Sequence, residues 1–243
     1  MGILELKNIS FAVQRETIVR GVSLEFEEGK TTALVGPSGC GKSTLLKISA
    51  GLLLPSGGDV YYKGRNIALM NRAQNLEFRR ESAFVFQDSA LWANQSLYQS
   101  LELPLLIHYP DLTRKDRKRR IEEVIAEVGY NRSLDIRPAA LSMGEQKLIA
   151  FARAVLCRPA LMFLDEWTES LDDKAANRLL SLVKERRLDN NTIIFVSHNL
   201  DIIKNLAQTV ILLAGGSVHM RLGSEQLAED SELAALVERG IAE

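Results

Sequence analysis

Along residues 3–35 the apolar positions follow the two-residue rhythm of strands, in ILELKNI, TIVRGVSLEF and TTALVG. The last run is almost wholly apolar, the pattern of a strand covered on both faces. KSTLLKISAGLL then reads as a helix, Pro55-Ser56-Gly57-Gly58 as a turn, and DVYYKG and SAFVFQ as further strands. From residue 95 to 158 the texture becomes helical. SLYQSLELPLLI is amphipathic, RKDRKRRIEEVIAEVG sets Ile121, Val124, Ile125 and Val128 on one face, and SMGEQKLIAFARAVLC follows. LMFLDE and TIIFVSH bring strands back, with helices predicted over 173–187 and 199–206. VILLAGGSVHMRLG reads as a hairpin with a Gly-Gly turn, and two short helices are predicted to close the chain.

Strands separated by helices predict an α/β fold with a mostly parallel sheet, into which 95–158 is inserted as a helical block. Composition adds exclusions rather than detail. Apolar residues make up 46% and charged residues 25% of the chain, an ordinary globular balance. The net charge of −1 argues against bulk nucleic-acid affinity, so no nucleic-acid partner is expected. Cys40 and Cys157 lack metal-like spacing, which suits a reduced intracellular setting. The N-terminus MGILELKNIS has no signal-peptide pattern, and no window approaches the ~18 consecutive apolar residues of a membrane span. The expectation is a soluble chain that reaches a membrane only through a partner.

Gly36-Pro37-Ser38-Gly39-Cys40-Gly41-Lys42-Ser43, followed by Thr44, fits G-x-x-x-x-G-K-[ST] and stands between a buried strand and a helix. The glycines let successive N–H groups turn toward phosphate oxygens beside a helix N-terminus. Lys42 is suited to the β- and γ-phosphates and Ser43 to Mg²⁺. Such a site needs an acid at a neighbouring strand tip to hold the metal, and Asp165 follows LMFL. Strand alternation then predicts that Glu166 points differently, toward a water poised to attack the terminal phosphate, as a general base.

Together, GPSGCGKST, Phe86-Gln87, LSMGE, LDEW with ESLD, and VSH resemble the ATPase subunit of an ABC transporter, in order and spacing, across essentially the whole chain. The resemblance implies a P-loop nucleotidase with a mostly parallel core sheet, an N-terminal antiparallel β part and an inserted helical subdomain. Residues 1–87 and 159–243 would form the core and 88–158 the helical part. ATP and Mg²⁺ are the implied cofactors. Gln87 would touch the metal and the attacking water, beside Ser43 and Asp165, and His198 would contact the γ-phosphate. Ser142, Gly144 and Glu145 would bind the γ-phosphate held by a second copy of the chain, with Asp172 lying across the interface. Two copies would thus sandwich two ATP molecules head to tail.

Three positions depart from the family pattern. Met143 replaces the first signature Gly, Trp167 replaces the Pro after the general base, and Val13 stands where an aromatic stacks on adenine. Loose discrimination between ATP and GTP is therefore expected. The segment Asp88-Ser89-Ala90-Leu91-Trp92 through Leu97, then Leu103-Pro104-Leu105, looks like the ATPase of Mla-type, Mce-associated phospholipid transporters, as does Ser10-Phe11. That likeness implies permease subunits docked on 88–105, an Mce-domain lipid-binding component, and work at the cytoplasmic face of a membrane. Trp92 reads as an exposed interface anchor or as a buried tryptophan of the helical part. The basic run 114–120 reads as a solvated helix face or a headgroup contact. The competing readings are a cytosolic ABC ATPase with a non-transport task, such as a division-associated regulator or an assembly scaffold, and an import or export ABC ATPase for a non-lipid substrate. A binding module with a dead site is opposed by the intact Lys42, Asp165, Glu166 and His198.

Overall fold

The computed structural model describes residues 2–14, 16–223 and 226. Strands β1 (Gly2–Val13), β2 (Glu16–Glu27), β4 (Gly57–Tyr62) and β5 (Arg65–Asn66) form an antiparallel sheet in the order β2-β1-β4-β5. A second sheet has the order β10-β9-β3-β8-β7-β6, built from β3 (Thr31–Val35), β6 (Ser82–Val85), β7 (Leu161–Asp165), β8 (Thr192–Val196), β9 (Thr209–Ala214) and β10 (Ser217–Gly223). Its strands pair in parallel except β10, which returns antiparallel on β9 after Gly215-Gly216.

Every residue of β3, β7 and β8 is buried, which is why these runs read as continuous apolar segments rather than alternating ones. Alternation survives in what each residue packs against. Leu161 and Phe163 face a core shared with Leu4, Leu6 and Phe26 of the antiparallel sheet. Met162 and Leu164 face a second core, shared with the helices α3 (Leu97–His108), α4 (Arg114–Val128) and α5 (Met143–Val155). The predicted stripe Ile121, Val124, Ile125 and Val128 is the buried face of α4, and the opposite face carries the pairs Lys118–Glu122 and Arg119–Glu123. Helices α6 (Asp173–Leu188) and α7 (Leu200–Leu206) follow β7 and β8.

The structure corrects some boundaries. Helix α1 (Lys42–Ser49) stops before the predicted 53. Gly51 turns left-handed at φ 61°, and the N–H groups of Gly51 and Leu52 return to the carbonyls of Ile48 and Lys47, closing the helix in a Schellman turn. Gly57 and Gly58 belong to β4 rather than to a turn. Helix α2 (Arg72–Glu81) was not expected: it buries only Phe78, so it carries no apolar period, and an Asn71–Gln74 capping box starts it. The two closing helices lie outside the described residues.

Candidate active site

The parallel strands bring their C-terminal ends to one side, where open α/β sheets bind ligands. The loop after β3 depends on glycine at two points. Gly36 has φ 147°, and a Cβ there would collide with the carbonyl of Leu213; Gly41 has φ 99°, and a Cβ would stand 2.8 Å from the carbonyl of Ile18. Gly41 is also the N-cap of α1, whose first turn has no side-chain cap, so its N–H groups can serve an anion. Lys42 is buried, and its Nζ donates to the carbonyls of Gly36 at 2.7 Å and Pro37 at 2.8 Å. Cys40 is buried behind the loop, and desolvation raises its thiol pKa against the opposing charge of Lys42.

Asp165 ends β7 with no exposed surface. Its Oδ1 accepts from Ser43 Oγ at 2.7 Å, while its buried Oδ2 has no hydrogen-bond partner among the described residues. Burial raises this carboxyl's pKa, with the Ser43 hydrogen bond and nearby lysines opposing. A buried carboxylate oxygen without a partner, beside a hydroxyl on a phosphate loop, fits a Mg²⁺ ion. Among the described residues no group of three His, Cys, Asp or Glu side chains could hold a metal.

Strand alternation is not what separates Glu166 from Asp165. The chain leaves β7 at Asp165, and Glu166 takes a left-handed φ of 43° while its N–H donates to the carbonyl of Val196 at 3.2 Å. A non-glycine residue held there is strained. The turn sets the Glu166 carboxylate against His198, whose N–H donates to Oε2 at 3.3 Å and whose Nε2 stands 3.4 Å from Oε1. Burial raises the Glu166 pKa, with His198 as the main opposing charge. Gln87 Nε2 donates to Glu169 Oε2 at 3.1 Å. A cleft of about 380 Å³ collects Ser38, Gly39, Gly41, Lys42, Ser43, Thr44, Gln87, Glu166 and His198. Val13, half exposed at the end of β1, is not part of its lining, whereas Glu16 and Ile18 are.

Ser142, Gly144, Glu145 and Asp172 do not line this cleft. Ser142 and Glu145 form a capping box at the start of α5, and Arg132 Nη1 donates to both Glu145 carboxylate oxygens at 2.9 and 3.0 Å. The two signature glycine positions differ in their surroundings. Met143 is 69% exposed, whereas a Cβ on Gly144 would lie 2.9 Å from the Ser170 carbonyl; side-chain bulk is tolerated at the first position and not at the second. Asp172 caps α6 by accepting from Ala175 N–H at 2.8 Å. Trp167 is fully buried and stacks on Phe151 of α5 at 6.0 Å; truncating a buried indole to alanine typically costs about 3–5 kcal/mol.

Sequence reading missed Arg153. Its guanidinium donates to the carbonyls of Ala90 at 2.8 Å and Ser89 at 3.2 Å, fixing two left-handed residues just after Gln87. A basic residue in an amphipathic helix gives no signal of this. Beyond that loop lies a second, apolar cleft of about 430 Å³, lined by Phe86, Trp92, Leu103, Pro104 and His108 among others. Trp92 is 48% exposed at its rim.

Phosphate loop, strand-tip acid and the surrounding α/β sheet define a P-loop nucleotidase. The ABC transporter family matches residues 19–169, and the chain belongs to that family as an ATP-binding ATPase subunit. It is 36% identical over 201 residues to an uncharacterised ABC transporter ATP-binding protein of Methanocaldococcus jannaschii, covering 82% of this chain and 88% of that one. The nickel import ATP-binding protein NikE of Shigella flexneri is 34% identical over 209 residues, 84% of this chain and 78% of its own. The cell division ATP-binding protein FtsE of Escherichia coli is 31% identical over 207 residues, 85% and 92% respectively. Among solved structures, a dimeric ATP-binding cassette in a post-hydrolysis state bound to ADP and Pi matches with a TM-score of 0.84 and 28% identity, over 91% of this chain and 98% of that one. No helix of the described residues is long and apolar enough to cross a membrane.

Proposed function

We propose that this chain is the ATP-driven motor of a membrane transporter, in which two copies clasp two ATP molecules head to tail. The observation that carries this reading is the division of the site. Lys42, Ser43, Gln87, Glu166 and His198 share one cleft, while Ser142, Gly144, Glu145 and Asp172 lie off it. A second copy would supply what one cleft lacks.

In this reading the loop amides and Lys42 hold the ATP phosphates, and Ser43, Gln87 and Asp165 hold Mg²⁺. Bound Mg²⁺ would supply positive charge to offset that of the phosphates. Glu166 accepts a proton from water as the water oxygen bonds to the γ-phosphorus. The bond from that phosphorus to the β–γ bridging oxygen breaks, leaving ADP and phosphate. His198, against both Glu166 oxygens, orients the carboxylate and meets the γ-phosphate.

The apolar cleft beside Trp92 offers a seat for a permease segment on 88–105, which would place the chain at the cytoplasmic membrane face. The run from Asp88 to Leu105 supports phospholipid as the cargo and an Mce-domain protein as a further component. The FtsE likeness supports a second reading, a cytosolic division-associated ATPase with a non-transport task. Purification from membranes separates them. Co-purification with a multi-span permease, and ATPase activity stimulated severalfold by phospholipid vesicles and lost in Trp92→Ala, support the transporter. A lipid-insensitive complex would overturn phospholipid as cargo, and no membrane partner would overturn the transporter in favour of the second reading.

A further inference from the structure

Lys147 is 2% exposed, on α5 five residues past Ser142. Among the described residues no carboxylate lies within 4.0 Å of its Nζ to form an ion pair. The ammonium instead donates to the carbonyl of Glu166 at 2.9 Å and, more loosely, to that of Phe86 at 3.5 Å. Burying an ammonium on neutral carbonyls is costly, and desolvation lowers the Lys147 pKa against the combined pull of Glu169, Asp165, Glu166 and Asp88. A methionine would fill the same volume without that cost, so packing alone does not explain a lysine here.

What Lys147 touches does. The Glu166 peptide is held at both ends, its N–H by the Val196 carbonyl and its C=O by Lys147. Between those bonds the residue keeps its strained φ of 43°, which aims the carboxylate into the cleft. The second carbonyl belongs to the residue before Gln87, and Arg153 of the same helix holds Ser89 and Ala90 just beyond it. Helix α5, which begins at the signature, therefore straps the backbone on both sides of Gln87 and at Glu166.

We infer that Lys147 is a positioning residue for hydrolysis: it locks the backbone turn that presents Glu166 to the attacking water and ties that turn to the signature helix. This rests on Glu166 being the general base. The rate should depend on Lys147 while ATP binding should not, because Lys147 does not line the phosphate cleft.

The test is steady-state ATPase kinetics of Lys147→Met and Lys147→Gln, with the Glu166→Gln single variant and the Glu166→Gln/Lys147→Met double variant. Lys147→Met is expected to lower kcat at least tenfold with KM within twofold. Lys147→Gln, whose shorter amide can reach one carbonyl only, should fall between it and the native protein. The double variant should be no slower than Glu166→Gln alone, since both changes act through one carboxylate. A kcat within twofold of native, a parallel rise in KM, or additive losses would overturn the inference. If Lys147→Met does not fold, Lys147→Gln decides on the same split. Full activity in Glu166→Gln would instead sink the general-base reading itself, whatever Lys147 does.

Discussion

Ser43 Oγ donates to Asp165 Oδ1 at 2.7 Å, joining the first turn of α1 to the tip of β7. The bond leaves Asp165 Oδ2 buried and without a partner. If this pair is the metal seat, Ser43→Ala and Asp165→Asn should raise the Mg²⁺ concentration for half-maximal ATPase activity by on the order of tenfold, the scale of one lost charge-assisted contact. Binding of ATP in EDTA should change far less. A Mg²⁺ titration reads both, and an unshifted midpoint in both variants would remove the pair from the metal site.

Glu166 gives a pH signature in stability. Burial raises its folded pKa above the unfolded value, so the native state binds the proton more tightly. Stability is therefore lost as pH rises from the unfolded value, about 4.3, through the folded one. Glu166→Gln removes that loss. Without nucleotide and in EDTA, the variant should melt higher than the native protein at pH 8, and the gap should narrow toward pH 4. A gap that widens on acidification would contradict the burial reading.

At the signature, Glu145 would bring a carboxylate toward an incoming phosphate, and Arg132 offsets it through both oxygens. Arg132→Ala should weaken ATP-induced dimerisation severalfold, a modest effect because the pair is solvent-exposed. Adding Glu145→Gln should restore most of it, since the charge needing compensation is gone. Dimerisation measured by light scattering in the single and double variants decides this; no rescue would show that Arg132 acts otherwise.

Val13 offers no ring for stacking on a base, and Ile18 rather than Val13 lines the cleft. Hydrolysis of GTP should run within a few fold of ATP. A preference for ATP of a hundredfold or more would show that another residue reads the base.

The glycine loop, Glu166 and His198, which the structure gathers in one candidate cleft, were legible because each belongs to a contiguous run whose chemistry is local, whereas the signature residues lie off that cleft. The strands of the core were legible because burial on both faces removes polar residues from them. Helix α2 was hidden since Phe78 alone faces the interior. The aim of Glu166 was expected for the wrong reason, because a left-handed residue after a strand leaves no pattern in the sequence. Lys147 and Arg153 were invisible for a related cause. Their partners are backbone carbonyls, which every residue type possesses, so nothing in the sequence marks the pairing. Trp167 needed the structure too: its indole is fully buried and stacks on Phe151, a contact no sequence pattern marks.

In the proposed mechanism two copies complete each other's sites around ATP, and hydrolysis at Glu166 opens the assembly. The most direct measurement is the solution mass of Glu166→Gln with and without ATP, by size-exclusion chromatography with light scattering. A stable dimer holding two ATP, with a monomer in ADP, is the predicted result. A variant that binds ATP and remains monomeric would contradict it.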